Sequence, residues 1–410
     1  MKILFFVGEF PKLSQTFILN QITGLIDAGH DVRIIAKRKA PGQKVHDDVA
    51  NYRLDERTIY YDAAGSNSKL QKAVHFAAAL ASVSIARLFE KKDWKSFSYR
   101  DLFRQPNLAF LIRTLSRINL RGCDAVLAHF GPNGLLARKC IDLGLLQGDL
   151  YIAFHGYDML RYINEKGENV YQDLFASRST LLPISEYWKR RLIVLGADPD
   201  RIIVHHMGID LSRFTVCPAR PAKETVIVSA ARFVEKKGLE YGIKAIAEMI
   251  SHGYPVRYDL AGDGPLAAEL KELIDRLHLG GHVRLLGWKT QEEWISLMKG
   301  AQIVLAPSVT ARSGDMEGIP VQLMEAMAME KLVVSTNHSG IPELIEDGVS
   351  GFLVKEKSPE QLAQAMMRII DTPEKWDRIT RQARWTVKQQ FNRDVQNRRL
   401  IEMMEKGTAD

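Results

Sequence analysis

The chain has 410 residues, 46% hydrophobic and 26% charged, with 29 Gly and 15 Pro. That is the composition of a folded globular protein of about two domains, and it excludes a disordered or fibrous chain. Lys and Arg number 56 against 49 Asp and Glu, a formal net charge of +7, so nucleic acid, an anionic membrane and a phosphorylated ligand all stay open as partners.

The excess is regional. Residues 1–210 carry 29 basic and 22 acidic side chains, whereas residues 211–410 carry 27 of each. In chain order, the start up to Gly8 and Glu9 reads as a buried first strand, because a glycine and a carboxylate interrupt its apolar run before a signal peptide could form. Further strands are expected at 32–36, 125–129, 151–155, 181–184 and 202–206. Between them, residues 69–121 hold 11 basic side chains against three acidic ones. Lys69, Lys72, Arg87, Lys91, Lys92, Lys95, Arg100, Arg104, Arg113, Arg117 and Arg121 alternate there with apolar residues on expected helices. Cationic amphipathic helices of this kind bind anionic leaflets. The weakly polar stretch 73–89 is too short and too interrupted to span a bilayer. No recognised reading module accompanies the charge, so nucleic acid is disfavoured. The expected location is the cytoplasm, peripheral on the inner face of the membrane.

A second series of strands is expected at 226–230, 257–261, 283–286, 303–306, 332–335 and 352–354. Two doubly wound α/β domains of the Rossmann type follow, residues 1–210 and 211–383, facing each other across a cleft. Residues 384–410 are expected to form a long terminal helix. Cys123, Cys140 and Cys217 lack paired metal spacing. Asp198-Pro-Asp200 has the spacing of a metal-binding pair, but a proline between helix and strand reads as a turn. His205 and His206 close an expected strand without a third ligand in register.

Three constellations follow strands of the second series. Arg232 and Lys237, five residues apart and closed by Gly238, can converge on a diphosphate, Arg bidentately and Lys as a compact charge. Gly262-Asp-Gly264 is a glycine-rich turn. Glu317-Gly318-Ile319-Pro320 enters a helix, with Pro320 as its expected first residue and Glu325 on its nearly apolar body, where an unpaired carboxylate is costly. In the first half, His129 and His155 both end expected buried strands.

Together with Asn337-His-Ser-Gly340-Ile-Pro-Glu343 and Gly348-Val-Ser-Gly351, these motifs resemble the family 4 retaining glycosyltransferases of the GT-B fold. The amino end, Glu9-Phe-Pro11-Lys-Leu-Ser14-Gln-Thr16-Phe17, is similar to the subgroup that builds colanic acid and amylovoran, although Gln15 stands where that subgroup usually has Glu. The resemblance implies two facing Rossmann-like domains with the C-terminal helix crossing back to the first. It implies that Arg232 and Lys237 hold the donor diphosphate, Glu325 the ribose, and Glu317 with Gly318, Ile319 and Pro320 the hydroxyls of the transferred sugar. The base would lie near Gly287 and Trp288. Gly8 would approach the diphosphate and His155 the anomeric centre, with Ser14, Thr16, His129 and Asp158 on the acceptor side.

The implied reaction moves a hexose, with retention and without a metal or other cofactor, from a nucleotide diphosphate sugar, UDP favoured, to an undecaprenyl-diphosphate-linked saccharide in exopolysaccharide or lipopolysaccharide assembly. A GT-B-fold sugar-nucleotide epimerase and a non-catalytic two-domain sugar-binding protein are the alternatives. A dehydrogenase is disfavoured, because no Gly-x-Gly-x-x-Gly follows the first strand.

Overall fold

A computed structural model describes residues 1–12, 15–40, 46–62, 74, 76–81, 84, 102, 106–118, 120 and 122–407. Most of the basic segment therefore lies outside the described residues, with Arg113 and Arg117 as its described cations. Among the described residues no helix is long and apolar enough to cross a membrane.

Two six-stranded sheets carry the fold. The first comprises β1 (Lys2–Glu9), β2 (Asp31–Arg38), β3 (Thr58–Tyr60), β4 (Ala125–His129), β5 (Asp149–Phe154) and β6 (Thr180–Pro183), in the order β3-β2-β1-β4-β5-β6. The second comprises β7 (Thr225–Ala230), β8 (Val256–Ala261), β9 (Val283–Leu285), β10 (Ile303–Ala306), β11 (Leu332–Thr336) and β12 (Phe352–Val354), in the order β12-β11-β10-β7-β8-β9. Every pairing is parallel. Strands buried on both faces need apolar residues at every position, and alternate residues then serve different cores. In β1, Leu4 and Phe6 enter one core while Ile3, Phe5 and Val7 enter the other. In β10, Ile303 and Leu305 divide from Val304 and Ala306 in the same way.

Two expectations need correction. Residues 202–206 are not a strand: one bridge joins Leu181 to Ile202. Ile203 and His205 donate to the Leu181 and Pro183 carbonyls, but Pro183 has no N–H with which to return a bond. The sixth strand is instead β3, a three-residue edge strand of half-buried residues. Nor is the tail one helix. Trp376–Gln390 packs Ala383 and Val387 into the second domain's core, and the chain crosses back at Phe391–Arg393. There Ile209 and Asn392 bridge, with Ile209 donating to the Phe391 carbonyl and Arg393 to the Ile209 carbonyl, both at 2.9 Å. The helix Arg393–Gly407 then buries Leu400 and Met404 against the core of Phe5, Ile22 and Leu25. Two such side chains contribute roughly 3–6 kcal/mol as an upper figure.

Candidate active site

Strand order reverses between β1 and β4 in one sheet and between β7 and β10 in the other, and crevices open at such reversals beyond the strand carboxyl ends. After β7 the chain forms the Arg232–Gly238 loop. Phe233, 1% exposed, anchors it, and the loop's backbone pairs with the turn after β8, Phe233 donating to the Asp263 carbonyl at 2.8 Å. Gly262 permits that contact, since a Cβ there would lie 1.8 Å from the Ala231 carbonyl oxygen. Gly238 is required twice over, with φ at +61° and a would-be Cβ 1.9 Å from the Pro307 carbonyl oxygen.

The loop aims Lys237 at Glu317, Nζ to Oε2 at 2.5 Å. Burial raises the Glu317 carboxyl, but the Lys237 charge, then Lys236, outweighs it and holds the group at about 2. Lys236 itself reaches Asp315 at 3.3 Å and the Met316 carbonyl at 3.2 Å. Glu317 is further fixed through its backbone, which donates to His338 Nε2 at 3.0 Å. Because Nε2 accepts there, the His338 proton sits on Nδ1 and is donated to Glu356, 2.5 Å away. Arg232 is exposed and has no ion-pair partner among the described residues.

Beyond Glu317, the helix Val321–Ala328 starts one residue later than expected, with Pro320 as its N-cap. Glu325 lies 9% exposed on it and accepts from Trp294 Nε1 at 2.8 Å. Burial pushes its carboxyl up to about 7, with the Trp294 bond opposing. Gly287 follows β9, and its carbonyl accepts from the Gly262 N–H at 2.8 Å. Trp288 beside it is 64% exposed, an indole face left open to a flat ligand.

Across the cleft, His155 follows β5 and His129 closes β4, with His129 Nδ1 3.0 Å from His155 Nε2. Phe17 packs on His155 at 4.7 Å between centroids, just after Thr16, the first residue of the helix Thr16–Asp27. Gly8 lies near the end of β1 opposite Asn133. Asp158 is fully buried, and its oxygens accept from the backbone N–H groups of Gly131, His155 and Gly156 at 2.9–3.0 Å. Its carboxylate thus shapes the His155 loop and is not offered to the cleft. Ser14 lies outside the described residues.

The two halves meet at Gly318. A Cβ built on it would stand 2.6 Å from Ile184 Cδ1 and 3.7 Å from the His155 carbonyl oxygen, so Glu317 and His155 border one cleft. Asp198-Pro-Asp200 lies elsewhere and forms a turn in which Asp198 caps Asp200 N–H at 3.1 Å.

The model of the Glycosyl transferases group 1 family matches residues 217–386. Across 99% of the chain and all of the relative, the sequence is 37% identical to WcaL of Escherichia coli strain K12, whose name places it in colanic acid biosynthesis. At the same coverage it is 38% identical to the amylovoran biosynthesis glycosyltransferase AmsK of Erwinia amylovora. The chain belongs to this glycosyltransferase family. Its fold is GT-B: HepE of Anabaena, solved with UDP, matches with a TM-score of 0.73 over 99% of this chain and 100% of that one at 19% identity. Sucrose-phosphate synthase of Thermosynechococcus elongatus matches at 0.75 over 100% and 99%, at 16% identity.

Sequence reasoning missed the residues that hold this glycosyltransferase's Glu317 in place. His338 stands inside the Asn337–Glu343 motif, and the signal that could have found it is an imidazole two residues beyond β11, at a strand carboxyl end. Glu356 follows β12 and takes both His338 and the Thr310 N–H, the latter at 2.7 Å.

Proposed function

We propose that the enzyme is a retaining hexosyltransferase that takes its sugar from a UDP-sugar and adds it to a lipid-linked saccharide in exopolysaccharide assembly. The observation that carries this reading is the Lys237–Glu317 pair, set beside the His155 loop across one cleft. Cleavage of the glycosyl-phosphate bond puts negative charge on the diphosphate and positive charge on the sugar. Lys237 and the exposed Arg232 neutralise the former, and such preorganised charge lowers the barrier. With those cations in place, the reaction is proposed to proceed without a metal.

Glu317 is already committed to Lys237, and in this reading it orients sugar hydroxyls and does not attack the anomeric carbon. The acceptor oxygen therefore bonds to the anomeric carbon on the face the diphosphate leaves, and its proton passes to a departing phosphate oxygen. Glu325 accepts from the ribose hydroxyls and Trp288 covers the base. The solved HepE complex with UDP and the exopolysaccharide names of the 37–38% identical relatives support this assignment. Docking of residues 69–121 on the inner membrane surface is the corresponding proposal for where the acceptor is met.

A screen of UDP-, GDP-, ADP- and CMP-sugars, read by ligand-induced thermal stabilisation and by release of free nucleotide, tests it. UDP-sugars should stabilise most and yield UDP, with the α anomer of the donor kept in the product's NMR spectrum. Strongest stabilisation by another nucleotide, or an inverted anomer, overturns the corresponding part. Conversion of one UDP-sugar into another without an acceptor would identify an epimerase.

A further inference from the structure

The histidine pair at the floor of the first domain carries an inference about proton placement. His129 is 0% exposed, its ring 5.7 Å from that of Phe5 between centroids and 5.2 Å from that of His155, the two imidazoles meeting edge to edge within 18° of one plane. Its Nδ1 faces His155 Nε2 at 3.0 Å, and its own Nε2 is buried with no hydrogen-bond partner among the described residues. Both backbones are pinned: Asn133 Nδ2 donates to the His129 carbonyl at 2.7 Å, and the His155 N–H donates to Asp158 Oδ1 at 3.0 Å. Burial, with His205 adding to it, holds His155 down at about 3, and burial lowers His129 well below the usual range, so both rings are neutral.

Two neutral imidazoles sharing one contact have two arrangements. In one, His155 donates from Nε2, and His129 must then carry its own proton on Nε2, a buried N–H with no acceptor. In the other, His129 donates from Nδ1, and a lone pair alone is left unmatched. Orphaned buried N–H groups are the rarer of the two. The second arrangement also moves the His155 proton to Nδ1, a nitrogen that makes no hydrogen bond among the described residues.

We propose that His129 is a positioning residue: by donating Nδ1–H to His155 Nε2 it fixes His155 as the Nδ1–H tautomer, which offers a hydrogen-bond donor, and not a base, to an oxygen of the transferred sugar. The sugar contact rests on the proposed function, in which the transferred sugar lies between Glu317 and the His155 loop; the tautomer does not.

The test is long-range proton–nitrogen NMR on the full chain labelled with ¹⁵N-histidine, together with UDP release from UDP-glucose. Wild type should show His155 protonated at Nδ1. In His129→Asn the amide N–H takes the place of Nδ1–H and should preserve that tautomer. In His129→Leu the donor is gone, so His155 should become a mixture of tautomers while kcat drops about 10- to 100-fold, the range for losing an orienting partner, with KM moving less. An Nε2–H signal for His155 in wild type overturns the proposal, as does an unchanged His155 tautomer in His129→Leu. If His129→Leu does not fold, the wild-type and His129→Asn spectra decide by themselves. Undiminished UDP release by His155→Ala would instead remove His155 from the site and leave the tautomer result standing.

Discussion

The Lys237 ammonium lies 2.5 Å from Glu317 Oε2, with the two side chains only 18% and 16% exposed. Burial would raise Glu317, and Lys237 is the foremost group that prevents it, holding the carboxyl at about 2 against an ordinary 4.5. A carboxylate with a depressed folded pKa adds stability that is complete above its unfolded pKa and lost as the pH falls through the folded one. The pair should therefore stabilise fully from pH 5 upward and weaken between about 4.5 and 2. Lys237→Met leaves Glu317 buried without its cation, at a cost approaching the ~3–5 kcal/mol of broken buried pairs. Urea titrations at pH 7 and pH 3.5 should show a smaller wild-type-to-variant gap at the lower pH. An equal gap would mean the two groups are not coupled. Turnover should fall at least ~100-fold in Lys237→Met and in Glu317→Gln, by loss of charge and of sugar orientation.

Glu325 behaves in the opposite sense. Its carboxyl is raised to about 7 by burial, with the Trp294 bond opposing. The folded chain thus holds a proton that the unfolded chain gives up near 4.5, and this contribution to stability is greatest at low pH and declines as the pH rises from about 4.5 to 7. Glu325→Gln should lack that decline, so its stability relative to wild type should grow between pH 5 and pH 7.5. If ribose hydroxyls donate to Glu325, UDP binding favours the carboxylate and expels the proton. Calorimetry of UDP binding at pH 6.5 in buffers of different ionisation enthalpy should report proton release, and Glu325→Gln should abolish it. Binding with no proton release in wild type would take the ribose away from this residue.

Glu343 joins the halves by a different device. Its oxygens accept from the N–H groups of Glu186 at 2.9 Å and Tyr187 at 3.2 Å, at the start of the helix Glu186–Val194, and from His206 Nε2 at 3.0 Å. A carboxylate from the second domain thus caps a helix of the first, where the dipole favours it. Burial raises Glu343, but the His206 bond and the two backbone bonds outweigh it and lower the group. Glu343→Ala should cost about 1–2 kcal/mol at pH 7, the range for a lost cap, and should open the molecule. Small-angle scattering should show a larger radius of gyration for the variant in the absence of nucleotide. Identical scattering curves would show that the closed form is held by other contacts.

Much of this was written locally in the chain. Buried parallel strands announce themselves as apolar runs, and the Arg232, Lys237, Glu317 and Glu325 positions fall where strand ends and helix starts place them. What could not be read depends on partners far apart in sequence. β3 is short and half-buried, so it has no apolar run to display. Residues 202–206 do display one, yet whether they form a strand depends on Pro183, twenty residues earlier. The break in the tail at Phe391–Arg393 is made by Ile209 from the other crossing, and no local helix signal encodes it. Asp158 looked like a cleft carboxylate, and only the fold brings three amides onto it. Likewise the Lys237–Glu317 pairing spans eighty residues, and spacing alone gave no reason to join them.

Gly318 offers the sharpest separation of fold from function. Any Cβ there would meet Ile184 Cδ1 at 2.6 Å, too close to persist, and Ile184 is packed in the first domain's core, which limits how far its tip can turn. The second domain can relieve the clash by backing away, which moves Glu317 from the His155 loop without unfolding either sheet. Gly318→Ala should therefore lower kcat markedly with little change in thermal midpoint, since a displacement of about 1 Å can cost ~100-fold in rate. Ile184→Val deletes the same Cδ1 at a cost of about 0.5–1.5 kcal/mol. The double variant Gly318→Ala/Ile184→Val should then recover most of the lost turnover while being less stable than Gly318→Ala alone. A double-mutant cycle on kcat and on unfolding free energy checks this, because residues in contact couple and distant ones add. Rate losses that simply multiply would show that contact with Ile184 is not what Gly318 protects.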